Sequence, residues 1–250
     1  MSSLTISLIA FLFIFGGALL GLALHRVLPE PHLSVASKDV VKLGMGLVGT
    51  TAALVLGLLV ASAKSSYDAQ SAEVTQLAAQ IAVLDRVLAH YGPETKAARA
   101  SLREAAGRAI DRMWSQEGRA DARTAPQAGG EVLLDNIQAL APKNESQRSL
   151  QVQALAITMD LGKTRWLMYA QEGATVSMPL LVVLVLWLMV LFASFGLFAP
   201  VNATVVCSLL LSALSVSGAI FLILEMYSPY LGFIQISREP LSVAIANLGR

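Results

Sequence analysis

The sequence predicts an all-α integral membrane protein: two transmembrane helices, an inserted helical extramembrane domain, then two more transmembrane helices. Three observations carry that prediction. Four apolar stretches, residues 4–24, 40–63, 178–199 and 201–226, contain no Asp, Lys or Arg apart from Lys42 and have Glu225 as their one acid. A helix of about twenty residues spans roughly 30 Å, the thickness of a bilayer's hydrocarbon core. Only helices or closed barrels satisfy their backbone there, and runs this long and continuous are helical. The third observation is the composition, 55% apolar and only 14% charged, with the charges gathered in the middle.

The first stretch lacks a basic start and is too long for a signal-peptide core, so it reads as a retained span. It ends at Leu24-His25-Arg26 and is followed by a loop with Pro29 and Pro31. The second span carries on into a polar helix without a Pro or Gly break. Tyr67, Val74, Leu77, Ile81, Leu84, Leu88 and Tyr91 recur on one helical face there, and Gly92-Pro93 stops it. Unbroken from 40 to 90, this helix would be about 75 Å long.

A second polar helix is expected over 94–114, with Ala98, Leu102, Ala105, Ala109 and Met113 turned inward. Residues 118–130 read as a loop, and 131–140 as a short helix stopped before Pro142. Asn144 or Ser146 can cap the next helix, whose Leu150, Ile157, Leu161 and Met168 lead towards the third span. Both outer helices of the polar bundle are thus expected to extend membrane helices. Spans three and four are joined by Ala199-Pro200-Val201 alone, a tight antiparallel hairpin. Asn202-Ala203-Thr204 fits a glycosylation pattern at that turn, a match read as accidental. Beyond Pro229 and Gly232, Ser237 can cap a short amphipathic helix with Leu241, Ala244, Ile245 and Leu248 on one face and Gly249 at its end. That face could lie on the membrane or on the polar bundle. The expected domains are therefore 1–63, 64–177, 178–226 and 227–250.

Several function classes are disfavoured. Residues 64–173 hold thirteen basic and thirteen acidic side chains, so no basic footprint for nucleic acid exists. His25, His32 and His90 are scattered, without acids at ligand spacing, so no metal, cofactor or catalytic role is expected. The lone thiol, Cys207, lies in a span and reads as a packing residue. Charge near the spans does not settle which side the domain faces.

Two surfaces remain as candidates. Gly46, Thr50, Ala53, Gly57, Ala61 and Lys64 follow helical spacing down one face of the second span. Small residues let helices approach closely in lipid; the other reading is a pore lining, with the Thr50 and Thr51 hydroxyls near water and Lys64 favouring anions at one mouth. Ser208, Ser212 and Ser215 form a second polar face on the fourth span, read as packing. Glu225 is a candidate either for a pore mouth or for an ion pair with Lys64, Arg165 or Arg238. Arg165, Trp166 and Tyr169 precede the third span, the aromatics reading as interfacial anchors.

Several segments resemble a known family. They are Lys38-Asp39-Val40-Val41-Lys42-Leu43-Gly44 with Ala63-Lys64-Ser65-Ser66-Tyr67-Asp68-Ala69, then Gly162-Lys163-Thr164-Arg165-Trp166. The third is Leu224-Glu225-Met226 with Pro229-Tyr230, Gly232, Ile234-Gln235-Ile236-Ser237 and Pro240-Leu241. Together they resemble the bacterial bestrophin-like membrane proteins, although Tyr227-Ser228 stands where an acidic-basic pair is common. The family name points to bestrophins, pentameric anion channels with a cytosolic helical insert between two pairs of spans. The resemblance implies a homo-oligomer (a pentamer by analogy) in the lipid of a bacterial inner membrane, passing inorganic ions, with its helical domain cytoplasmic. The bestrophin calcium clasp needs an acidic cluster after the last span; only Glu225 and Glu239 are present, so no such site carries over. The expected function is an ion channel, anion-conducting rather than cation-conducting. The alternative is a membrane-anchored sensor or scaffold whose bundle binds a partner, with no pore. A secondary transporter fits less well.

Overall fold

A computed structural model describes residues 2–29, 34–115, 128–171 and 176–249. The expected loop at 118–130 falls largely on residues 116–127, and His32 on 30–33, outside the described residues. The described residues form helices and irregular segments, without a strand: α1 (Ser3–Val27), α2 (Val35–Tyr91), a 3-10 turn (Pro93–Thr95), α3 (Lys96–Trp114), α4 (Ala128–Gln138), α5 (Glu145–Gln171), α6 (Met178–Phe198), α7 (Ala203–Met226) and α8 (Glu239–Ala246). α1, α2, α6 and α7 are long and apolar enough to cross a membrane. The chain divides into two compact units, one of Met1–Ser66 with Thr175–Tyr227, the other of Tyr67–Ala174 with Ser228–Arg250. α2 runs through both.

The first unit holds the four apolar helices. α1 begins where Ser2 Oγ accepts the Thr5 amide, and α7 where Asn202 Oδ1 accepts the Val205 amide at 2.8 Å. Asn202 is therefore committed as a helix cap. α1 packs against α6 and α7 around Ile14, Ala18, Leu184, Ala213, Ile220 and Ile223. At the α1–α6 crossing the backbones touch. A methyl group on Gly17 would lie 2.6 Å from the Met189 carbonyl oxygen. One on Gly21 would overlap the Ala193 carbonyl, and one on Gly196 the Ala18 carbonyl. Lipid supplies no hydrophobic drive between helices, so dispersion over such close contacts holds them together. The end of α6 gains two donors: the His25 ring Nδ1–H reaches the Leu197 carbonyl at 2.7 Å, and Lys38 Nζ reaches the Phe198 carbonyl at 3.3 Å. Both meet carbonyls that a helix end otherwise leaves without partners.

The second unit is a water-type bundle. Val74, Leu77, Ile81, Leu84 and Leu88 of α2 are buried in its core, with Tyr67 packed at the edge, and Tyr91 is buried as well. On α3, Ala98, Leu102, Ala106 and Trp114 are buried, while Ala105, Ala109 and Met113 are only partly so. Asn144 caps α5, its Oδ1 accepting the Gln147 amide at 2.8 Å. α5 is described as far as Gln171; of the residues described before α6, Val176 and Ser177 are non-helical, and α6 opens with a proline in its first turn. Pro179 lacks an amide proton and crowds the preceding turn, so it opens a helix rather than continuing one.

The amphipathic tail helix α8 docks on the bundle, as one of its two expected settings. Leu241, Ala244 and Leu248 join the core together with Tyr230 and Ile236. Asp85 fixes the end of the tail. It accepts Arg99 Nε at 2.7 Å and Nη2 at 2.9 Å, and its Oδ2 also accepts the Gly249 amide at 3.2 Å. Gly249 has φ +91°, a conformation that favours glycine, and Arg103 donates to the Leu248 carbonyl. Burial works to raise the pKa of Asp85, but the hydrogen bonds from Arg99 and Gly249 and the charges of Arg99 and Arg103 outweigh it, and the net shift is down.

Two outcomes are expected. Gly21→Leu forces α1 and α6 apart; overpacking costs about 1–3 kcal/mol, read as earlier unfolding in a detergent titration that Gly16→Leu, at an open position, does not show. A carboxylate with a depressed pKa stabilises the fold above its unfolded value of about 3.9 and loses that effect as pH falls through the lower folded value. Hydrogen-exchange protection of residues 241–249 therefore declines in acid below about pH 4. Asp85→Asn removes that acid step and weakens the tail by about 2–4 kcal/mol at pH 7.

Candidate functional site

The first candidate surface is the small-residue stripe on α2. Gly46, Thr50, Ala53, Gly57, Ala61 and Lys64 are all exposed. A methyl group added at Gly46 or Gly57 would meet nothing within 4 Å. The side of α2 that docks on its own unit carries Ala52, Leu59 and Ala63, which are buried, and Gly49, which faces Leu191 of α6. At 100° per residue that docked side lies about 120° around the helix from the stripe. Only 11% of the most apolar stretch of α2 is buried, against 39% for α1 and 28% for α6 and α7. The stripe is thus not the chain's own close-packing surface; Gly17, Gly21 and Gly196 serve that purpose. Sequence reasoning passed over them, although Gly17-x-x-x-Gly21 is the small-residue spacing that marks such a contact.

The stripe is smooth and weakly polar. Thr50 Oγ1 and Thr51 Oγ1 both donate to the Leu47 carbonyl, each at 2.9 Å. That bonding spends the hydroxyl protons on the helix itself and leaves the oxygen lone pairs outward. Lys64 ends the stripe, exposed and with an interaction partner. Ser215 bonds back to the Leu211 carbonyl at 2.9 Å, as a span serine does. The hydroxyl of Ser217 is buried without a hydrogen bond.

The ionisable candidates belong to two units. Glu225, in the last turn of α7, is only 4% exposed, is partnered, and belongs to the first unit. Arg165 and Arg238 belong to the second. The Arg238 guanidinium lies 5.9 Å from the centre of the Trp114 ring, a cation–π arrangement. Arg165 is half-buried on α5; burial, and then the nearby charge of Arg112, lower its pKa. Trp166 is exposed on the same helix. Among the described residues no three His, Cys, Asp or Glu side chains are grouped as a metal site would need.

The tail segment that carries the most specific resemblance is a strap on the bundle. Trp114 Nε1–H donates to the Ile236 carbonyl at 3.1 Å, and its ring meets Tyr230 edge-on at 5.4 Å. Tyr67 Oη–H donates to the Gln235 carbonyl at 3.2 Å, and the Ile236 amide reaches back to Pro229. Pro229, Tyr230, Ile236 and Leu241 are all buried. The motif's prolines and apolar residues thus make an irregular segment that satisfies its backbone on an indole and a phenol. Trp114 was legible only as the last residue of a predicted helix.

These features define an all-helical membrane protein with four apolar helices and a helical unit closed by its own tail. A family model described as the bestrophin-like domain matches residues 12–241. The chain belongs to the bestrophin-like family. No curated protein and no solved structure shows significant similarity to it.

Trp114→Phe should keep the ring contact and lose the bond to Ile236, weakening the strap by about 1 kcal/mol. Trp114→Ala should cost about 3–5 kcal/mol. Limited proteolysis at residues 228–238 is expected to rank wild type, Phe and Ala in that order of resistance.

Proposed function

We propose that the protein is a homo-oligomeric ion channel of a bacterial inner membrane, selecting anions over cations, with α2 lining its pore through Gly46, Thr50, Ala53, Gly57, Ala61 and Lys64. One observation carries the reading: the smoothest and most polar face of an apolar helix is left uncovered by the rest of its chain. Four helices packed together have no room for an aqueous path of their own. Several copies around an axis provide one, and a pentamer is the number the bestrophin analogy supplies, with the helical unit in the cytoplasm.

The chemistry favours anions at one point. Gly, Ala and Thr side chains narrow a pore little and repel neither ion. A ring of Lys64 side chains at the end of the stripe raises the local potential and attracts anions. Glu225 is the opposing candidate, since a ring of carboxylates favours cations. Its burial within its own unit supports giving the selecting charge to Lys64 instead.

Liposomes containing the purified protein are expected to pass chloride, and cross-linking in native membranes to give rings of four or more subunits. Lys64→Glu should lower the chloride-to-potassium permeability ratio severalfold. Gly57→Cys should let a water-soluble thiol reagent block the flux. Absence of flux at every voltage and pH, together with a monomer or dimer on cross-linking, would overturn the channel and favour a membrane-anchored sensor or scaffold.

A further inference from the structure

The motif Gly162-Lys163-Thr164-Arg165-Trp166 is not used by the pore reading, yet three of its five residues converge on one hollow. Gly162, Arg165 and Trp166, at i, i+3 and i+4 on α5, line a cavity of about 310 Å³ inside the helical unit. That volume lies at the lower end of pockets that hold small molecules. The remaining two residues turn elsewhere: Thr164 is buried, its hydroxyl 3.5 Å from Gln80 Oε1, and Lys163 is exposed.

The room exists because side chains are missing where a bundle core would place them. α3 presents Ala105 and Ala109 to the cavity, half-buried, where larger residues would close it. A methyl group at Gly162 would meet nothing within 4 Å. Leu77, Ile81 and Leu102 form the apolar floor. The hollow opens to solvent, since Trp166 is 53% and Met159 63% exposed on its lining, and a ligand's hydrocarbon would take the apolar floor out of water.

One cation enters this apolar surround. Arg165 lines the cavity with Nη1 3.5 Å from where a Cβ on Gly130 would sit, against the first turn of α4. Arg165 is half-buried and already has an interaction partner, and Arg112 is near enough for like-charge repulsion. Glu131, exposed on that turn, is the one carboxylate on the lining. A guanidinium offers five donors in a planar fork suited to a carboxylate, and an added negative charge would relieve its repulsion from Arg112.

We propose that this cavity is a binding site for a small apolar carboxylate, with its hydrocarbon or aryl body against Leu77, Ile81, Leu102 and Gly162 and its head group on Arg165. The site is in the helical unit and separate from the α2 stripe. Its test reads binding and not flux, so its failure leaves the channel reading untouched.

The full-length protein in lipid nanodiscs is titrated with 4-phenylbutyrate and, separately, with its uncharged amide, with empty nanodiscs as the control. Saturable binding of the acid is expected, at least tenfold tighter than the amide. Arg165→Gln should abolish that preference, while Lys163→Gln, the same charge loss two residues earlier on an exposed face, should leave it intact. Gly162→Leu fills the cavity from an open position and should remove binding of both compounds while the unit stays folded by circular dichroism. Equal affinity for acid and amide, undiminished binding by Gly162→Leu, or no saturable binding at millimolar concentrations would each overturn the site. Should Arg165→Gln fail to fold, the acid-to-amide ratio of the wild type and the Gly162→Leu result still decide.

Discussion

One uninterrupted helix has to live in two kinds of surroundings, and both units depend on it. α2 satisfies its own backbone from Val35 to Tyr91, so what changes along it is only which side chains face a neighbour. Up to Ala63 its docked side is narrow, made of Ala52, Leu59 and Ala63. From Tyr67 onward its apolar residues recur every three or four positions and are buried in a core. The change from exposed leucines to a heptad-like stripe is a change of solvent, written into one helix.

The two units are held by different forces for that reason. In the apolar unit burial in another helix is no better than burial in lipid, so contact must be very close or polar to count. Backbone meets backbone at Gly17, Gly21 and Gly196, and His25 and Lys38 meet the carbonyls at the end of α6. In the polar unit water provides the drive, and leucine, isoleucine and valine do the ordinary work of a core. There the tail contributes Tyr230, Ile236, Leu241 and Leu248 to the core, while Asp85, Arg103 and Trp114 hold its backbone in register. A chain segment far along in sequence is thereby part of the same cooperative body as α2 and α3.

The same contrast explains the two candidate sites. On α2 the informative property is what fails to touch anything in the chain. In the polar unit it is a cavity left by alanine and glycine next to a half-buried arginine. Neither is a cluster of reactive groups, and both are shaped by small residues: Gly57 on one, Gly162 on the other.

The apolar runs at the spans, the helical face from Val74 to Tyr91 and Asn144 as one of two candidate caps were legible in the sequence alone, whereas the caps at Ser2 and Asn202 emerged from the structure. Hydropathy and helical periodicity are local properties, and in lipid a helix is the only economical solution for a single long apolar run. The non-helical residues before α6 were legible too, in Pro179, but the periodic apolar residues beside it obscured them. Which of two glycine-rich helices makes the close contact, that Trp114 carries the tail, that Asp85 reaches Gly249, and that Gly162, Arg165 and Trp166 share a cavity were decided only in three dimensions. Those facts depend on which faces of distant helices meet, and pairing between residues separated by as many as 172 positions leaves no periodic trace along a chain.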